Sequence, residues 1–197
     1  MNPAGTATSI AAHSPDPSVT GESVTFTFAV AVNAPGSGTP TGTVTVSDGT
    51  QSCEASVAAG SCSIAFSSAG VRNVTASYAG DASFNSSASS PVTQTVNAAP
   101  TSTTIIGHTP DPAVAGQPVA VTYTVTSAGG TPTGNVTVTD GSAVCVGTVA
   151  DGGCTLTPLV PGDKTLTANY AGDGNFAPSS GSVPFTVNMA LAPTTSR

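Results

Sequence analysis

The chain has 197 residues, 38% hydrophobic and 7% charged, with a net charge of −7 from three Lys/Arg against ten Asp/Glu. That length allows one or two domains with cores of their own, and the low charge excludes disorder driven by self-repulsion. So few basic residues exclude nucleic acid and anionic membrane surfaces as partners, and no run approaches the roughly 18 apolar residues of a membrane span.

In chain order, the first ten residues, MNPAGTATSI, carry neither a basic nor an apolar signal-peptide region. The expectation is secretion by another signal, or a chain cut from a longer one. The segment TSIAAHSPDPSVTGESVTFTFAV follows, and Val24, Phe26, Phe28, Val30 and Val32 alternate there with Thr25, Thr27, Ala29 and Ala31. Val44 and Val46 alternate with Thr43, Thr45 and Ser47, and Val74, Ala76 and Tyr78 with Asn73, Thr75 and Ser77. A period of two marks strands with one buried and one wet face. Thr and Val favour strands, and Pro/Gly/Asp clusters punctuate the runs.

The whole arrangement then returns. TTIIGHTPDPAVAGQPVAVTYTV matches the first segment at a constant offset, His13 with His108 and Gly21 with Gly116. After a short deletion GTPTGTVTVSDG matches GTPTGNVTVTDG, Cys53 matches Cys145, Cys62 matches Cys154, and YAGDASF at 78–84 matches YAGDGNF at 170–176. A period of about ninety residues is too long for a solenoid, so each copy is a domain. Six or seven short antiparallel strands per copy predict an all-β protein of two tandem Greek-key β-sandwiches. No Trp is present, so the antibody-type core signature is missing. The boundaries expected are 1–98, 99–189, and a tail or the start of a further repeat at 190–197. NAAPTST at 97–103 is a short connector, echoed by VNMALAPTTSR, which reads as the join to a further unit.

The ordered set SPDPSVTGESVTFTF, GTPTGTVTVSDG, VTASYAGDASF and PVTQTV resembles the bacterial Ig-like repeat domains, over residues 6–97 and 101–188. Asp16 and Asp111 stand where that family often has asparagine between the prolines. The resemblance implies an Ig-like fold, an extracellular or cell-surface setting, neighbouring repeats as partners, and no catalytic residues.

Four cysteines suit that setting. Cys53, Ala55 and Val57 share one strand face and Cys62, Ile64 and Phe66 another. A turn around AAGS would make them a hairpin with a Cys53–Cys62 disulfide, repeated as Cys145–Cys154. The register is awkward: a turn centred on AAG puts Cys53 opposite Ala65, so a bulge or a wider loop is needed. Buried free thiols are the alternative, and zinc is disfavoured by the spacing. A disulfide would require an oxidising compartment.

Tyr78, Gly80, Asp81 and Phe84, with Tyr170, Gly172, Asp173 and Phe176, are read as a structural loop. The tyrosine ends a strand, Gly-Asp reverses the chain with Asp bonded to local N–H groups, and the phenylalanine plugs the sandwich. Calcium at Asp81 and Asp173 is the competing reading, but one carboxylate per loop falls far short of six to eight oxygen ligands. His13 and His108 are read as turn-flanking residues, since each is alone in its copy and no nucleophile elbow accompanies it. GTPTG lacks the Gly-Lys and helix of a phosphate loop. Arg72 and Lys164, matching cations at strand starts, are read as solvent-exposed. Asn73, Asn85 and Asn135 fit the N-glycosylation pattern, which Ser/Thr-rich chains produce by chance.

No enzyme and no cofactor follow from these residues. The expected function is a non-catalytic spacer or stalk of a larger extracellular, adhesin-like protein. The alternative is an adhesive module for carbohydrate or a host protein. Only nine aromatics serve two domains, most of them at core-facing positions, which favours the spacer.

Overall fold

The structure is a computed structural model in which residues 2–190 are described. Residues 191–197, most of the segment read as a tail or further repeat, lie outside the described residues. The chain divides between Ala98 and Ala99 into two compact units.

In the first unit β1 (Thr6–Ser14), β3 (Ser23–Val32) and β6 (Ser61–Ala65) form a sheet in the order β1-β3-β6. The facing sheet runs β2-β9-β7-β4-β5, from β2 (Ser18–Val19), β9 (Val92–Asn97), β7 (Gly70–Tyr78), β4 (Thr43–Ser47) and β5 (Ser52–Ser56), with β8 (Ser87–Ala88) added to β7. Most successive strands cross from one sheet to the other, as an Ig-like sandwich requires. SPDP makes the first crossing, because its prolines lack the N–H that would continue the β1–β3 ladder. Beyond it β2 pairs in parallel with β9, Ser18 opposite Val96.

The second unit repeats the plan. β10 (Ser102–Thr109), β12 (Val119–Thr126) and β15 (Gly153–Leu156) form one sheet. β11 (Ala113–Val114), β17 (Ser179–Asn188), β16 (Gly162–Tyr170), β13 (Asn135–Thr139) and β14 (Val144–Thr148) form the other, in that order. Both first strands carry a bulge, at Ala11 and at Ile106, where one residue has no partner on the next strand.

The inward residues of the alternating runs make the core: Val24, Phe26, Phe28, Val44, Val46, Val74, Ala76 and Tyr78 are at most 4% exposed. Hydroxyls tie the first strand down where the ladder cannot. Ser87 Oγ lies 2.7 Å from both Thr6 Oγ1 and Thr8 Oγ1, and Ser179 Oγ lies 2.7 Å from Thr101 Oγ1 and Thr103 Oγ1.

The expected cysteine hairpin is corrected by this topology. Cys53 lies on β5, which pairs with β4, whereas Cys62 lies on β6, which pairs with β3. The intervening turn is therefore a crossing between sheets, and the Cys53–Cys62 bond (Cα–Cα 5.9 Å) joins their two edge strands. Cys145–Cys154 does the same for β14 and β15, at 6.0 Å. No bulge is needed, because the two cysteines never face each other across a ladder.

Candidate functional site

The repeated YAGD loop is the strongest sequence candidate, and in both units its aspartate is bonded into the turn while the hydroxyl of its buried tyrosine, Tyr78 or Tyr170, has no hydrogen-bond partner among the described residues. Asp81 Oδ1 accepts from Ser83 N (2.8 Å) and Phe84 N (2.9 Å), while Oδ2 accepts from Thr41 N (2.9 Å) and Thr41 Oγ1 (2.7 Å). Asp81 N donates to Phe84 O at 2.9 Å and closes the turn. In the second unit Asp173 takes Asn175 N, Phe176 N, Thr133 N and Thr133 Oγ1 at 2.7–3.1 Å. The Thr41 hydroxyl, then the Ser83 and Thr41 amides, hold the Asp81 carboxyl well below the usual carboxylate range. Burial acts the other way on Asp173, but the bonds from Thr133, Asn175 and Phe176 outweigh it and its pKa is also lowered.

Both oxygens of each carboxylate are thus engaged by the chain's own donors. Among the described residues no group of three or more His, Cys, Asp or Glu is placed to hold a metal ion. The loop connects GTPTG to YAGD: the second threonine of the first motif is the partner of the aspartate of the second. The joint recurrence of the two motifs was the available signal for that pairing.

Phe84 is 7% exposed and sits under the loop at Gly38, where an added Cβ would meet its ring at 3.1 Å. Phe176 and Gly130 repeat the contact at 3.3 Å. Gly80 has φ +87°, and a Cβ there would lie 2.8 Å from Phe84 O. Gly80→Ala is expected to cost about 1–3 kcal/mol, from the positive φ and the backbone clash together. Gly49→Ala, at φ +89° with open space around it, isolates the φ contribution and should cost less. Urea denaturation of the two variants compares them.

The histidines do more than flank a turn. His13 stacks on Phe26 (centroids 5.6 Å apart, 15° between planes) and its Nδ1 lies 2.8 Å from Gln94 Oε1. Gln94 is fully buried, and its Nε2 donates to Pro15 O, Ser18 Oγ and Thr95 O at 2.9–3.2 Å. In the second unit Phe185 stands at the position of Gln94, with His108 edge-on to it at 5.4 Å, and Ala113 replaces Ser18. Each histidine is thus part of its own core wall.

Arg72 and Lys164, expected to be solvent-exposed, have side chains only 22% and 13% exposed. Arg72 Nη1 lies 3.9 Å from Asp48 Oδ2 and Lys164 Nζ lies 3.6 Å from Asp140 Oδ2, with the two aspartate side chains 2% and 0% exposed. The turn after each central strand buries its aspartate to cap Gln51 N or Ala143 N, and the opposing strand supplies the charge that makes burial tolerable. Burial raises the Asp140 pKa, but the bonds from Ala143 and Ser142 and the Lys164 charge prevail and lower it.

The signs for Asp81, Asp140 and Asp173, and for Asp151 beside Thr148, all point one way. A depressed folded pKa stabilises above the unfolded value, near 3.9, and that contribution is lost as pH falls through the folded value. The urea midpoint is therefore expected to hold between about pH 5 and 7 and to fall below about pH 4. Asp140→Asn and Asp81→Asn should each flatten that acid limb.

Asn73, Asn85 and Asn135 are exposed. Asn85 Nδ2 already donates to Pro3 O at 3.1 Å.

Residues 11–97 and 106–188 match the bacterial Ig-like domain, group 3. The chain belongs to this family. As a pair of bacterial Ig-like domains it is all-β, as its sequence pattern predicts. No curated protein matches it. Among solved structures it is similar to the fibronectin(III)-like modules of Clostridium thermocellum CbhA, at 17% identity and TM-score 0.42 over 96% of this chain and 99% of that one. It is similar also to the Yersinia pseudotuberculosis adhesin InvE, at 15% and 0.43 over 92% and 58%. The N-terminal domains of the bacteriophage RB49 outer capsid protein Hoc give 15% and 0.37 over 92% and 59%.

Proposed function

We propose that these two bacterial Ig-like domains are a non-catalytic spacer in a larger extracellular protein, holding other modules at a distance. The observation that carries this reading is the fate of the aromatics. All six Phe and all three Tyr are 7% exposed or less, so no ring is free to stack on a sugar face. The residues repeated between the units are consumed in the same way: aspartate in its turn, threonine on the aspartate, cysteine in the bridge. Two disulfides in so short a chain suit an oxidising, extracellular setting. Among the described residues no helix is long and apolar enough to cross a membrane.

One observation favours a second reading, a module that binds a protein. Val144 and Val146 on the edge strand β14 are 63% and 58% exposed, where the first unit has Ser52 and Glu54. Leu159 and Val160 add 68% and 51%, at the positions of Ser67 and Ser68.

A glycan array probed with the two-domain chain, in calcium and again in chelator, tests the proposal. The spacer reading expects silence in both. A reproducible hit overturns it. Pull-down of one defined protein that is lost in Val146→Glu would favour the second reading instead.

A further inference from the structure

In each unit the chain enters at one end and leaves at the other. Ala4 pairs with Phe84 at the YAGD end, while Val96 lies opposite Gly70 and Thr20 N reaches Asn97 O at the far end. The first crossing strand and the last strand run parallel, β2 beside β9 and β11 beside β17. Tension on the two chain ends therefore slides one strand along the other and loads all the bonds between them at once, instead of opening them in turn. Hydrogen bonds are short-ranged and directional, so they resist such sliding more sharply than apolar contacts do.

The two pairs are built differently. In the first unit side chains reinforce the short ladder: Gln94 Nε2 donates to Pro15 O (3.1 Å) and Ser18 Oγ (3.2 Å), Thr20 Oγ1 to Asn97 O (3.2 Å), and Thr95 N to Asp16 Oδ1 (3.0 Å). In the second unit Ala113, Ala115 and Phe185 stand at the positions of Ser18, Thr20 and Gln94. There the backbone bond from Ala115 N to Asn188 O (2.9 Å) remains, and among the described residues no side-chain bond from 108–115 reaches β17. At the opposite end threonine hydroxyls on Ser87 or Ser179 recur in both units, so those bonds do not separate them.

We infer that the units are mechanically unequal, and that under tension along the chain the second yields at lower force than the first. The parallel strand pair is the element that decides the order. In a stalk this gives stepwise extension, with each step stopped short by a disulfide that keeps its loop closed. The inference rests on the spacer reading for its use, not for its test. A glycan hit would overturn the spacer and leave the force order standing, and an inverted order would do the reverse.

The experiment is single-molecule pulling on the full oxidised chain held at its two ends. Cys145→Ser with Cys154→Ser marks the second unit, because the freed separation of 9 residues at roughly 3.5 Å each, less a Cα–Cα distance of 6.0 Å, lengthens its step by about 25 Å. Cys53→Ser with Cys62→Ser marks the first unit instead. The lengthened step is expected first with the former marker and second with the latter. An order that follows the marker, or the first unit yielding first in both, overturns the inference. Thr20→Val, and Gln94→Leu if its melting curve shows it folded, should lower the first unit's force toward the second's and leave the second's unchanged. A folded Thr20→Val chain with both forces unaltered also overturns it.

Discussion

Phe26→Ala is expected to destabilise the first unit by about 3–5 kcal/mol, a large share of the total stability of so small a domain. Phe26 is fully buried, edge-on to Phe66 at 6.3 Å and stacked beneath His13, so truncation leaves a cavity that neither neighbour can fill. Two-transition urea or thermal denaturation should show the first unit's transition displaced or lost. The second unit shows how the same slot is filled from the other side. Val121 occupies the position of Phe26, and the ring against the histidine comes from Phe185 on the opposite sheet, where the first unit has Gln94. Phe26→Val and Gln94→Phe are therefore expected to couple, the pair together costing less than the sum of the single changes by about 0.5–3 kcal/mol. Alone, Gln94→Phe overfills the core and strands the Ser18 hydroxyl. Additive costs in the double-mutant cycle would contradict this account of the core.

The second large effect is expected from the bridges. Removing Cys53–Cys62 by paired serine substitutions should cost the first unit roughly 2–3 kcal/mol on the chain-entropy estimate for a loop of this size, and Cys145–Cys154 the same in the second. Here the bond also joins edge strands of opposing sheets, so its loss frees β5 from β6 as well as loosening the unfolded chain. Denaturation of the wild-type chain with and without reductant checks the figure. Reductant should move both transitions in the wild type and only the second in the Cys53→Ser/Cys62→Ser chain.

Strand positions were legible because burial of one sheet face imposes a period of two, and Val24, Phe26 and Phe28 obey it without interruption. The duplication was legible because each unit needs the same turns. The cysteine hairpin misled because local pattern gives strand faces and not sheet membership: β5 and β6 are adjacent in sequence but belong to different sheets. Arg72 and Lys164 were misjudged for a related reason. Their partners Asp48 and Asp140 lie on another strand's turn, and nothing in the spacing reveals that those turns bury a carboxylate. Gln94 and Phe185 escaped notice because the units differ there, and comparison of repeats highlights what they share.

The aspartate loops also make the sharpest test. If Asp81 and Asp173 are turn-builders with every oxygen engaged, calcium has nothing to gain from the folded state, and ligand linkage leaves the melting temperature where it was. The measurement is calorimetric melting of the two-domain chain in chelator and across a calcium titration to millimolar concentration. Coincident transitions throughout are the expected result. A melting temperature that rises with calcium in the wild type, and no longer rises in Asp81→Asn or Asp173→Asn, would make the repeated loop a binding site and contradict it.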